Sequence, residues 1–181
     1  MIIESLEIEG SYVITSQMYP DNRGHFYELY NKKELLLKEI ECEFVQDNVS
    51  FSKKGVLRGI HTQRFYPQAK FVTCLEGRVF DVIVDCRKDS PTFMKWHSEC
   101  LDSKTKKSIY IPSGVAHGFY AITDSLVLFK VSTHYHEGDE IGFKWDDPQL
   151  NIEWPFLMSE KPIVAKKDEN LPTFQHIMSL I

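Results

Sequence analysis

Apolar and β-branched residues come along this chain in short runs: "SYVITS", "CEFVQDNVSFS", "KFVTCLE", "RVFDVIVDC", "TFMKWHSECL", "SIYIPSG", "HGFYAI", "SLVLFKVST" and "IGFKWDD". Turn-forming or charged stretches separate them, among them "DNRG", "SKKG", "LEGR", "RKDSPT", "PSGVAHG" and "HEGDE". Many strands at close spacing without intervening helices predict an all-β fold, an antiparallel barrel or sandwich. One segment departs from the pattern. Residues 31–40, "NKKELLLKEI", place Leu35, Leu36 and Ile40 on one helical face. The tail after Pro155 reads as irregular, with a short helix in "FQHIMSLI". No repeat or low-complexity linker divides the sequence, so residues 1–181 are expected to form one domain with the segment 156–181 peripheral.

One run does not behave as a core strand. In "KGVLRGIHTQ", residues 54–63, Val56, Leu57 and Ile60 read as buried, yet Arg58 and His61 sit among them with opposite parity. Only a bulge at Gly59 would bring both to one face. Gln46, Asn48, Lys70 and His117 are further polar side chains in or beside apolar runs. Such groups are costly inside an apolar barrel unless they line a solvated rim or converge on a polar ligand.

Composition narrows the choices. With 181 residues, 43% hydrophobic and 13% aromatic, the chain can bury a full core. Its formal charge of −5 is not the cationic field of a nucleic-acid or membrane-surface binder, so neither partner is expected. Cys42, Cys74, Cys86 and Cys100 are widely spaced with no C-x-x-C pair, which predicts buried free thiols in a reducing cytosol. The first residues carry acids and no long apolar stretch, and no segment approaches the roughly 18 apolar residues of a membrane helix. A cytoplasmic location is the expectation.

Six segments taken in order carry a resemblance: "DNRGHFYE", "FVQDNVSFSKKGVLRGIHTQ", "QAKFV", "GRVFDVIVDCRKDSPTFMKW", "IPSGVAHGF" and "DDPQLNIEWP". Together they resemble the dTDP-4-dehydrorhamnose 3,5-epimerase family. The resemblance implies a cupin-type double-stranded β-helix, or jelly roll, usually a homodimer. It implies action on a nucleotide-linked 4-keto-6-deoxy sugar, with no metal and no cofactor, in the synthesis of bacterial surface-polysaccharide precursors for capsule or lipopolysaccharide. By position, His61 matches the family's base and Asp168 the acid that partners it. Arg58 and Lys70 match cations around the sugar and its carbonyl, and His117 matches a further active-site histidine. Gln46 and Asn48 match polar residues of the pocket. Arg23, Phe26 and Glu28 match a nucleotide-contacting loop that reaches into the neighbouring subunit.

The chemistry explains the residue types. A proton beside a ketone leaves only when the resulting enolate is stabilised, so a base and an oxyanion stabiliser are both needed. A histidine backed by a carboxylate suits the first role, and a lysine in a dry pocket suits the second. Two departures stand out. Phe129 occupies the place of a family tyrosine whose phenol returns a proton to the opposite face of the enolate, and a phenyl ring has no proton to give. Either another donor, such as water or the hydroxyl of Tyr120 or Tyr135, replaces it, or only carbon 3 is inverted; the second reading is favoured. His134 stands where the family often has an aromatic near the nucleotide, which leaves a dTDP-linked hexose and a GDP-linked heptose both open. The rival reading is a metal-dependent cupin oxygenase or isomerase: "IPSGVAHGF" fits the second cupin motif, but "HTQRFYPQ" supplies only His61 where the first motif needs more ligands.

Overall fold

Most of the alternating runs become strands in the computed structural model, which describes residues 1–156 and 161–180. In chain order these are β1 (Ile2–Ser5), β2 (Tyr12–Thr15), β3 (Met18–Asp21), β4 (Gly24–Tyr27), α1 (Lys32–Leu36), β5 (Gln46–Ser52), β6 (Leu57–Gln63), β7 (Lys70–Glu76) and β8 (Arg78–Asp85). They continue with β9 (Trp96–Asp102), β10 (Lys107–Ile111), β11 (Val115–Ala121), β12 (Ser125–Val131), β13 (Glu140–Gly142), α2 (Lys166–Glu169) and α3 (Phe174–Met178). A six-stranded sheet runs β1-β2-β10-β7-β12-β5 and a five-stranded sheet runs β13-β6-β11-β8-β9. Their strand pairings are antiparallel. This is the all-β jelly roll expected from the sequence.

Period-two alternation fixes what faces the space between the sheets. Val72, Cys74 and Val127 of the six-stranded sheet meet Val79, Ile83, Leu101 and Phe119 of the five-stranded one, with Phe129 packed against them. The outer face of the six-stranded sheet is covered by Leu35 and Ile40, which pack on Ile14, Phe71 and Tyr110. Asn31 caps α1 by accepting the Lys33 amide hydrogen, and the helix is only five residues long, ending well before Ile40. Leu36 is consequently 45% exposed and does not share the buried face expected of it.

The tail departs from expectation. Phe174, Ile177 and Met178 of α3 are buried, packed with Trp154 and Phe143 onto Leu57, Ile60, Val82, Val84 and Ala116. The five-stranded sheet has an apolar outer face that must be covered, and the described part of segment 156–181 covers it instead of lying at the periphery. The thiols are likewise mixed: Cys74 and Cys86 are buried, but Cys100, on edge strand β9, is exposed. The hairpin β3–β4 stands apart as its own two-stranded sheet, where the sequence showed only the turn "DNRG". Among the described residues, no helix is long and apolar enough to cross a membrane.

Candidate active site

The parity conflict in β6 is resolved by a bulge. Phe119 pairs with Arg58 but His117 pairs with His61, so three steps along β6 oppose two along β11. Leu57 and Ile60 therefore both point to the outer cluster, and Arg58 and His61 both reach the cavity between the sheets. Gly59 makes this possible: its φ is +98°, and a Cβ there would lie 2.7 Å from the Gly118 Cα and from the His117 carbonyl oxygen.

The main cavity, about 410 Å³, is lined by Arg58, His61, Lys70, His117, Phe129 and Asp168 together with Ser50, Glu140 and Lys167. A second cavity of about 260 Å³ carries Gln46, Asn48, Tyr135 and His134, and shares Lys70, Phe129 and Glu140 with the first. The residues matched by position to the family's site thus fall on two joined hollows, with three exceptions. Arg23, Phe26 and Glu28, on or just after the β3–β4 hairpin, line neither; all three are exposed, and Arg23 is tied to Asp21 at 2.7 Å.

His61 Nε2 lies 2.8 Å from Asp168 Oδ1. Asp168 is buried in α2, yet its carboxyl is held below the usual carboxylate range: burial pushes it up, and this is outweighed by the His61 contact, Lys167 and the Gly59 backbone amide. A carboxylate only accepts, so Nε2 carries the hydrogen and donates it. That leaves the lone pair of Nδ1 as the free basic site, 3.7 Å from Glu140 Oε2. Glu140 is itself paired with Lys167 Nζ.

Directly opposite His61 in the β6–β11 register, His117 forms a second pair, its Nε2 2.8 Å from Asp81 Oδ2. Asp81 is fully buried, and burial foremost drives its carboxyl upward against the pull of His117 and Lys70. Its Oδ1 has no hydrogen-bond partner among the described residues. Lys70 enters from the facing sheet, 7% exposed. Burial lowers its amine to about 8, against the opposing influence of Glu140, Asp81 and Cys86. Arg58 is braced in place, donating from Nε to Ser52 Oγ and from Nη2 to the Phe51 carbonyl. Gln46 Nε2 donates to Asn48 Oδ1, and the side-chain Oε1 of Gln46 accepts from the Tyr135 backbone amide. Among the described residues, no three His, Cys, Asp or Glu side chains cluster to hold a metal.

Asp81, Ser50, Glu140 and Lys167 were missed in the sequence. Asp81 did leave a trace: in "RVFDVIVDC" it shares the parity of Val79 and Ile83, an acid on the inward face of a core strand. Chemically, the cavity sets a carboxylate-backed imidazole against a buried cation that has no hydrogen-bond partner among the described residues, an arrangement able to take up a proton and hold negative charge.

A family model described as dTDP-4-dehydrorhamnose 3,5-epimerase matches residues 5–176. The dTDP-4-dehydrorhamnose 3,5-epimerase of Methanothermobacter thermautotrophicus is 40% identical over 164 residues, covering 90% of this chain and 89% of the relative. Among solved structures, the dTDP-6-deoxy-D-glucose-3,5-epimerase of Legionella pneumophila, in complex with dTDP-4-keto-L-rhamnose, superposes with a TM-score of 0.91 at 39% identity, covering 99% of this chain and 94% of that one. A 3'-monoepimerase of Streptomyces bikiniensis in complex with dTDP-quinovose gives 0.88 at 31% identity, covering 97% and 89%. The chain belongs to the dTDP-4-dehydrorhamnose 3,5-epimerase family, and so to the isomerases.

Proposed function

We propose that the chain epimerises carbon 3 of a dTDP-linked 4-keto-6-deoxy hexose by proton abstraction and enolate formation. The observation that carries this reading is the His61–Asp168 pair at the wall of a cavity whose opposite wall presents the buried Lys70, unpaired among the described residues. His61 Nδ1 takes the proton from carbon 3, and Asp168 favours the imidazolium that results. Lys70 and His117 hold the oxygen at carbon 4 as charge moves onto it. Arg58 grips a phosphate or the sugar. Gln46 and Asn48 take the polar groups of the ligand in the second hollow. Phe129, without a hydroxyl, confines inversion to one carbon in this reading. The dTDP carrier is supported by the ligands of the two similar structures.

The working form in this reading is a homodimer. Arg23, Phe26 and Glu28 are exposed and outside both hollows of their own chain, which supports a role in completing the site of a second copy. The family resemblance extends the reading to cytoplasmic synthesis of bacterial surface-polysaccharide precursors.

The test is incubation in heavy water with dTDP-linked 4-keto-6-deoxyglucose and, in parallel, a GDP-linked 4-keto heptose, mapping deuterium at carbons 3 and 5. Uptake with inversion at carbon 3 of the dTDP sugar alone is expected. Inversion at both carbons refutes the restriction by Phe129, and preference for the heptose refutes the substrate.

A further inference from the structure

Inverting a carbon requires removal of a proton from one face of the sugar and delivery to the other, and Phe129 has none to deliver. We propose that Lys70 is the proton donor on the face opposite His61. The inference rests on the reading of His61 as the base.

The two sheets decide which groups can serve. His61, His117 and Arg58 all enter the main cavity from the five-stranded sheet, and His117 is the cross-strand neighbour of His61, on the same wall. Glu140, on β13, belongs to that sheet as well and is engaged with Lys167. The six-stranded sheet contributes Ser50, Lys70 and Phe129. Of the tyrosines that the sequence suggested as substitutes, Tyr120 packs against Phe156 at 4.7 Å between ring centres, on the outer face of its sheet, and Tyr135 lines only the second hollow. That leaves Ser50 and Lys70. Ser50 Oγ is buried without a partner among the described residues, but an alcohol is a far weaker acid than an ammonium.

Lys70 has no hydrogen bond or ion pair among the described residues, so its N–H groups are free for the ligand. Burial, set against the nearby Glu140, Asp81 and Cys86, brings its amine to about 8. A proton held near neutrality is the one most readily exchanged in catalysis. The step balances without a redox partner. His61 takes the proton from carbon 3, the C–H pair becomes a carbon–carbon double bond, and the carbonyl pair moves onto oxygen. An N–H proton of Lys70 then adds to carbon 3 from the far face, the N–H pair stays on nitrogen, and the carbonyl re-forms. Neutral Lys70 and the imidazolium of His61 recover by exchange with water.

The experiment follows exchange and inversion separately in heavy water. Lys70→Arg keeps the charge but does not surrender a proton. We expect it to retain deuterium uptake at carbon 3 with configuration unchanged, while inversion falls ~100-fold or more; Lys70→Arg/Phe129→Tyr, which supplies a phenol, should recover inversion. Lys70→Met, close to the natural shape, serves if arginine does not fit. Inversion at the native rate in folded Lys70→Arg overturns the proposal, as does loss of exchange and inversion together that Phe129→Tyr restores in neither variant. Loss of inversion in Ser50→Ala, with inversion kept in Lys70→Arg, hands the role to Ser50. Absence of any exchange in the unmodified protein instead sinks the base assignment.

Discussion

Asp168 and His61, 107 residues apart, meet at 2.8 Å, and the backbone amide of Gly59 on the same bulge points to the same carboxylate. One short helix thus orients the imidazole and steadies the distorted strand that presents it. Replacing Asp168 by Asn keeps the size but removes the charge and allows the wrong tautomer. Turnover should drop roughly 10³–10⁴-fold with the fold intact, measured by steady-state kinetics beside circular dichroism.

Gly59→Ala tests the bulge itself. The added methyl meets the β11 backbone at 2.7 Å and the residue must hold a positive φ. A loss of roughly 3 kcal/mol in stability is expected from overpacking and strain together, read by urea denaturation, with activity falling further because Arg58 and His61 no longer share a face.

Lys70 should cost stability at neutral pH. Its amine is lowered by burial from 10.5 to about 8, so between those values the unfolded chain binds more protons than the native one. The penalty is present below pH 8 and fades as pH rises toward 10.5. Lys70→Met should therefore melt higher at pH 7, by roughly 2–4 °C per kcal/mol gained, while losing activity; scanning calorimetry at pH 7 and 10 checks both the sign and its fading. Activity of the unmodified protein should decline on the alkaline side, near pH 8, as the ammonium is lost.

Asp85 behaves in the opposite sense. It is fully buried, which pushes its carboxyl up, yet hydrogen bonds from Arg87, Ser90 and Thr92 prevail and hold it at about 2. A lowered carboxyl stabilises the fold above pH 3.8, and that contribution is lost as pH falls toward 2. Asp85→Asn should destabilise by about 3 kcal/mol at pH 7, and the difference from the native protein should shrink in acid melts.

Much of this was legible in the sequence because two simple signals carry it. Alternation between punctuating turns gave most strands of the two sheets, from "SYVITS" to "SLVLFKVST". What failed was whatever depends on irregular geometry or distant contact. β6 looked contradictory because parity counting assumes an unbroken strand, and Gly59 breaks it. The tail looked peripheral because α3 is five residues long, too short for its apolar positions to show a period, though they seal the outer face of a sheet far away in sequence. Asp168 lies between Lys167 and Glu169 like any surface acid, and composition could not pair it with His61; the family resemblance did. Asp81 went unread because a strand that looks apolar hides an acid whose partner lies on another strand.

The most direct measurement is deuterium uptake at carbon 3 of the dTDP-linked 4-keto sugar by His61→Asn, with circular dichroism confirming a native fold. We expect uptake and inversion to vanish to background while the nucleotide sugar still binds. Uptake at the native rate in the folded variant would contradict the assignment of His61 as the base and, with it, the chemistry proposed for this cavity.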